Sequence, residues 1–150
     1  MKQKKDKKED HYYEYLFLMF ATIVFLDRIF KTFLGNGCYF VFCAKKVMNS
    51  GAAFGILPSM TWFFIAVAAI ILLSILLFIN EFNGNGKIAL ILIAAGTAAN
   101  LIDRLFFSSV IDIFSVFGSS AFNLADISNC VGGIILILGL LKNNILRKKF

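Results

Sequence analysis

Four carboxylates stand where a chain that is 59% hydrophobic has little reason to keep them: Asp27, Asp103, Asp112 and Asp126. The other five acids, Asp6, Glu9, Asp10, Glu14 and Glu81, fall in or beside polar segments. Asp112 lies between isoleucines in "VIDIF" at 110–114, and Asp126 opens an apolar run in "FNLAD" at 122–126. A charged side chain at the centre of a bilayer costs roughly 2.5 kcal/mol or more, so intramembrane acids are functional candidates by default. Two carboxylates about 4 Å apart at an effective dielectric near 20 repel by about 4 kcal/mol. They relieve this by sharing one proton: one then acts as a base on water while the other, protonated, polarises a carbonyl. Such a pair hydrolyses amides with neither a metal nor a nucleophilic serine. Little else in the chain competes, since His11 is in the N-terminal tail, no His/Cys/Glu cluster has metal-ligand spacing and no serine has a partner histidine. Neither metal nor cofactor is expected. Spacing alone does not bring Asp112 to Asp126, and a proton or ion path is an equal alternative at this stage.

The elements that must position these acids follow from the composition. Charged residues make up only 16% of the chain and there are 18 Phe, more apolar surface than a soluble domain could hide. About 20 apolar residues in a helix cross the hydrocarbon core of a bilayer. Four such spans are read at about 15–34, 60–79, 88–106 and 125–141. They must be helices, because the bilayer interior offers no water to free backbone groups. The breakers "GNG" at 35–37, Pro58, "NGNG" at 83–86 and "GSS" at 118–120 fall between them. The 150 residues suit a single integral membrane domain, 1–150, with no internal repeat. The expected fold is an all-α membrane protein of four transmembrane helices, with a small extracytoplasmic loop or β region between helices 1 and 2.

Orientation follows from the basic residues. Five Lys crowd the first ten residues, four basic residues lie in the last nine, and Lys87 is expected in the short 2–3 loop, so both termini and that loop are placed in the cytoplasm. Lys45 and Lys46 on the outer side run against this, and the N-terminal cluster outweighs them. The net charge of +6 calls for acidic headgroups rather than a nucleic-acid partner. Span one exceeds a signal-peptide core and "LGNGC" makes a poor cleavage site, so the span is expected to stay. Cys38 and Cys43 lie outside, where a disulfide is permitted, and together with Cys130 are read as structural thiols.

With this topology the unusual polar groups fall at one depth, near the outer interface: Asp27 and Lys31, "MNSGAAFG" at 48–55, Asn100 with Asp103 and Arg104, Asp112, and Asn123 with Asp126. Simpler roles exist for several. Asp27 and Lys31 are spaced to form a helix-end pair worth a few tenths of a kcal/mol. Arg104 could neutralise Asp103, and Asp126 could merely complement a helix dipole.

Five blocks in order resemble the lipoprotein signal peptidase (signal peptidase II) family, and the resemblance covers most of the chain. "DRIFK" at 27–31 is similar to D-Q-x-x-K, "NSGAAFG" at 49–55 to N-x-G-x-x-F-G, and "GTAANLIDR" at 96–104 to G-x-x-x-N-x-x-D-R. "VIDIF" is similar to V-x-D-F and "FNLAD" matches F-N-x-A-D. The resemblance implies an aspartyl endopeptidase of the bacterial cytoplasmic membrane. It would remove signal peptides from prolipoproteins, cutting before a cysteine that already carries diacylglycerol, on the extracytoplasmic side. Its partners would be those prolipoproteins and membrane lipids. Asp112 and Asp126 fall on the catalytic positions. Asn49, Gly51, Asn100, Arg104 and Asn123 fall on positions that line or brace the site, with Asn49 and Asn100 expected to bond substrate backbone and Arg104 to steady the site. Asp27 and Lys31 match the first block, where a structural role is open. Arg28 stands for the usual Gln, Ala99 for a common Gly, and the 13 residues between the two aspartates are fewer than the family commonly has. A non-catalytic relative that binds prolipoproteins is an alternative. A proton or ion path would need polar residues at several depths, whereas spans two and four offer little beyond Thr61, Ser74, Ser128 and Asn129.

Overall fold

Apolar runs free of proline become helices here, and short segments beside the polar blocks become strands. The computed structural model describes residues 2–34, 37–39, 42–51, 59–116 and 120–147, without the side chains of 2–10, 39, 42 and 143–147. The breakers at 35–36, Pro58 and 118–119, most of "NSGAAFG", and the side chains of the terminal basic clusters lie outside the described residues. The elements are α1 (Lys2–Phe33), β1 (Gly37–Tyr39), β2 (Phe42–Asn49), α2 (Thr61–Phe78), α3 (Asn85–Phe107), β3 (Val110–Val116) and α4 (Leu124–Arg147), with a 3-10 turn at Ile79–Glu81 after α2.

Among the described residues three helical segments are long and apolar enough to cross a membrane: Thr61–Glu81, Asn85–Phe107 and Leu124–Lys142. α1 is long enough but carries Asp27, Arg28 and Lys31 in its last two turns, which lowers its apolar content below theirs. The four expected spans are thus four helices, of which three qualify by length and composition alone. α2 buries little of itself, and Trp62, Leu73, Leu76 and Leu77 point outward, as a lipid-facing helix requires.

α3 is the hub, packing most extensively on α4 and then on α1 and α2. Lipid tails are as apolar as leucine, so membrane helices associate where small residues let backbones approach. A Cβ on Gly96 would lie 2.3 Å from the Ala125 carbonyl oxygen, and one on Gly132 would lie 2.7 Å from that of Ala89. Ala89 and Ala125, both fully buried, are themselves small residues at this contact. Ser128 Oγ donates to the Leu92 carbonyl at 2.8 Å, satisfying a hydroxyl inside it. Lys87, expected in a loop, lies in the first turn of α3 and is buried. The backbone turns at Gly84 (φ +48°) and the helix begins earlier than hydropathy suggested, so Lys87 Nζ reaches Tyr13 Oη at 2.8 Å and ties α3 to α1.

At the other end of the bundle β1, β2 and β3 form an antiparallel sheet in that order. The expected β region between helices 1 and 2 is therefore only two-thirds of the sheet, and its third strand comes from the α3–α4 link. Val110–Val116 is rich in Val, Ile and Phe, residues that pack well on a pleated surface. Cys38 and Cys43 face each other in the β1–β2 register and form a disulfide, so they are not free thiols.

Candidate active site

β3 and the start of α4 deliver the two acids. In β3, Val110, Asp112 and Ile113 are buried, and the neighbouring β2 places Val47 opposite Asp112 and Asn49 opposite Val110. Asn49 is thus a diagonal neighbour of Asp112 on the same face of the pleat, within side-chain reach. Its Nδ2 donates to Asp112 Oδ2 at 3.1 Å. On the other side Asn123 Nδ2 donates to Asp112 Oδ1 at 2.8 Å. Phe122 closes the approach: its N–H donates to the Phe114 carbonyl at 2.8 Å and its carbonyl accepts from Phe114 N at 2.9 Å.

Asn123 and Asp126 form a reciprocal cap on α4. Asn123 Oδ1 accepts from Asp126 N at 2.9 Å, and Asp126 Oδ2 accepts from Asn123 N at 3.1 Å. A residue just outside a helix and one three positions later commonly satisfy two free N–H groups in this way. The remaining oxygen, Asp126 Oδ1, accepts from Asn100 Nδ2 at 2.9 Å, and Asn100 Oδ1 in turn accepts from Asn123 Nδ2 at 3.1 Å. Two carboxylates are therefore joined through two amides drawn from α3 and α4. Asp112 is almost fully buried, and this loss of solvent pushes its carboxyl up to about 6. Bonds from Asn49 and Asn123 and the Lys31 charge oppose the shift, and the nearby Asp126 charge adds to it.

Every residue singled out from sequence reaches this end of the fold, with some unexpected partners. Asn49 and Asn100 donate to the two carboxylates rather than standing free for a substrate. Asn49 Oδ1 also accepts from Gly51 N at 3.0 Å, and the Gly51 carbonyl accepts from Arg104 Nη2 at 3.1 Å. Arg104, stacked 5.1 Å from the Phe64 ring centroid, thereby holds the segment after β2 instead of pairing with Asp103. Asp103 takes its cations from α1: Arg28 Nη2 and, at 2.8 Å, Lys31 Nζ. Lys31 Nζ also lies 2.6 Å from Asp27 Oδ2 and donates to Asn100 Oδ1 at 3.3 Å. The Arg28 contact and the long-range role of Asp103 went unread, and only the clustering of polar residues at one depth pointed to them. At the far end of the bundle a cleft of about 550 Å³ is lined by Glu81, Asn83, Asn85, Lys142 and apolar neighbours. Its lining includes one acid and so offers no dyad. No group of three or more His, Cys, Asp or Glu that could hold a metal occurs among the described residues.

The chain matches the family model described as signal peptidase (SPase) II over residues 19–142. It is 34% identical over 116 residues to a lipoprotein signal peptidase of Syntrophomonas wolfei, covering 76% of this chain and 75% of that one. A second, from Halothermothrix orenii, is 39% identical over 100 residues, covering 65% and 69% respectively. A solved bacterial membrane enzyme superposes with a TM-score of 0.78 at 28% identity, covering 87% of this chain and 90% of its own.

Proposed function

The chain belongs to the signal peptidase II family, and from that premise we propose that Asp112 and Asp126 are the catalytic pair of a lipoprotein signal peptidase. As an aspartic-type endopeptidase it removes signal peptides from diacylglyceryl-modified prolipoproteins, cutting before the lipidated cysteine. The observation that carries this assignment is the amide-linked pair itself: two acids from separate elements, each gripped by asparagines, at the end of the helices where the sheet packs.

The two acids have different tasks. Asp112, with its carboxyl pushed up to about 6, holds the shared proton and polarises the scissile carbonyl. Asp126 accepts at both oxygens from its helix cap and Asn100, leaving it to take a proton from the attacking water. In the first step water loses its proton to Asp126 and its oxygen adds to the carbonyl carbon. In the second, the tetrahedral intermediate collapses, the C–N bond breaks and the new amine takes a proton from the pair. Buried Asn123, bonded to Asp112 and capping the helix that carries Asp126, keeps the acids in register throughout.

Exposed Trp62, at the sheet-side end of α2, suits the aromatic belt at headgroup depth. This supports a site at the outer interface of the bacterial cytoplasmic membrane, where a diacylglyceryl group anchored in the outer leaflet brings its cysteine within reach. Both termini then lie in the cytoplasm and residues 1–150 work as a single domain. Asn49 and Asn100 release part of their bonding to the substrate backbone on binding. The test presents purified protein with a diacylglyceryl-modified precursor peptide and its unmodified counterpart. Cleavage of the modified peptide alone is expected; equal cleavage of both, or of neither, overturns the assignment.

A further inference from the structure

Behind the catalytic pair lies a second pair of acids that the reaction does not use. Asp27 and Asp103 are fully buried, on α1 and α3. Asp27 Oδ1 accepts at 3.0 Å from the N–H of Ala125, the residue before Asp126. Asp103 Oδ2 accepts at 3.1 Å from the N–H of Ile111, the residue before Asp112. Each catalytic acid is thus preceded by a backbone amide held by a buried carboxylate. Between these two carboxylates sits the Lys31 ammonium, 2.6 Å from Asp27 Oδ2 and 2.8 Å from Asp103 Oδ2.

We propose that Lys31 is a positioning residue: by bridging Asp27 and Asp103 it sets the spacing between Asp126 and Asp112 without touching the substrate. This rests on the assignment of Asp112 and Asp126 as the catalytic pair. The geometry differs from an ordinary helix-end pair. An ordinary Asp–Lys pair four residues apart satisfies itself at a helix surface. Here the lysine side chain is 0% exposed and reaches a second helix. Hydrogen bonds from backbone N–H to an ionised carboxylate are stronger than neutral ones, so a shift of either acid is passed to the amide it holds. Without the ammonium, each buried carboxylate loses a counter-charge 2.6 to 2.8 Å away and shifts from its seat. Their amides, and the catalytic acids one residue on, move with them. Arg28 on Asp103 completes a set of two acids and two bases, so the bridge carries no net charge. Lys31 Nζ also donates to Asn100 Oδ1, whose amide holds Asp126, giving a second route to the same acid.

The test uses two charge-balanced double variants and reads each on the arm it leaves untouched. Lys31→Met with Asp103→Asn retains Asp27, and the readout is hydrogen exchange at the Ala125 amide. Lys31→Met with Asp27→Asn retains Asp103, and the readout is exchange at Ile111. In protein reconstituted in lipid nanodiscs, each amide is expected to exchange at least ten times faster than in the wild type, with α2 amides unchanged. On a diacylglyceryl-modified precursor, kcat falls at least tenfold while KM stays within twofold. Unchanged exchange on the untouched arm, or a raised KM with kcat retained, overturns the proposal. Asp112→Asn and Asp126→Asn in the same assay keep the two ideas apart: if either still cleaves, the catalytic assignment fails, whereas the exchange result speaks to Lys31 by itself.

Discussion

At the scale of single residues the site is a matter of where one proton rests. Burial pushes Asp112 up to about 6, so in the proposed mechanism the working form, protonated at Asp112, is lost as pH rises through that value. The pH profile of kcat/KM reports groups of the free enzyme, and its basic limb is expected near pH 6. The Asn49 amide favours the ionised carboxyl, so Asn49→Ala raises the proton affinity of Asp112 and moves that limb to higher pH while lowering the maximal rate. A limb that stays put or moves down contradicts this division of roles. Asn123→Ala removes both the helix cap and a donor to Asp112. A lost cap costs about 1 kcal/mol, so thermal denaturation is expected a few degrees lower, with a larger loss of activity. Their clustering at one depth drew these residues together in the sequence, although Asp126 also had a simpler reading as a helix-dipole carboxylate. Sequence pattern could not reveal that Asn49 and Asn100 spend their amides on the acids, since a hydrogen-bond partner depends on register and rotamer.

At the scale of elements, the tight α3–α4 contact holds Asn100 beside Asp126. Gly96 has no room for a side chain, its Cβ falling 2.3 Å from the Ala125 carbonyl, one residue from Asp126. Gly133 on α4 has nothing within 4 Å of the same atom. Overpacking at a close contact costs typically 1–3 kcal/mol. Gly96→Ala is therefore expected to lower thermal stability and cleavage together, and Gly133→Ala to leave both near wild type. Equal behaviour of the two would contradict the packing account. The helices themselves were legible from hydropathy to within a few residues, save where α1 runs on toward the N-terminus and α4 toward the C-terminus, in polar segments that hydropathy does not mark. The third strand was not legible. "VIDIFSV" reads equally as loop or strand until β2 supplies its partner, and the pairing spans more than sixty residues of chain. Lys87 was misplaced for a similar reason, since a lysine in an apolar helix end looks like a loop residue until Tyr13 is seen across from it.

For the whole molecule, the bundle supplies a lipid-facing surface and the sheet supplies a floor for the acids just outside it. The disulfide between Cys38 and Cys43 fits a sheet on the oxidising, extracytoplasmic side. Alkylation of the denatured, unreduced protein is expected to label only Cys130, and labelling of all three cysteines would place the sheet in a reducing compartment. The helical bundle was read from apolar runs, whereas the linkage of Asp27, Lys31 and Asp103 to the residues preceding Asp112 and Asp126 emerges only when three helices and a strand are assembled. The central claim is that Asp112 and Asp126 act as one hydrolytic pair, and its most direct test is cleavage of a diacylglyceryl-modified prolipoprotein by wild type, Asp112→Asn and Asp126→Asn, each confirmed as inserted and equally abundant. Loss of cleavage by at least a thousandfold in both variants is expected; normal processing by either one contradicts it.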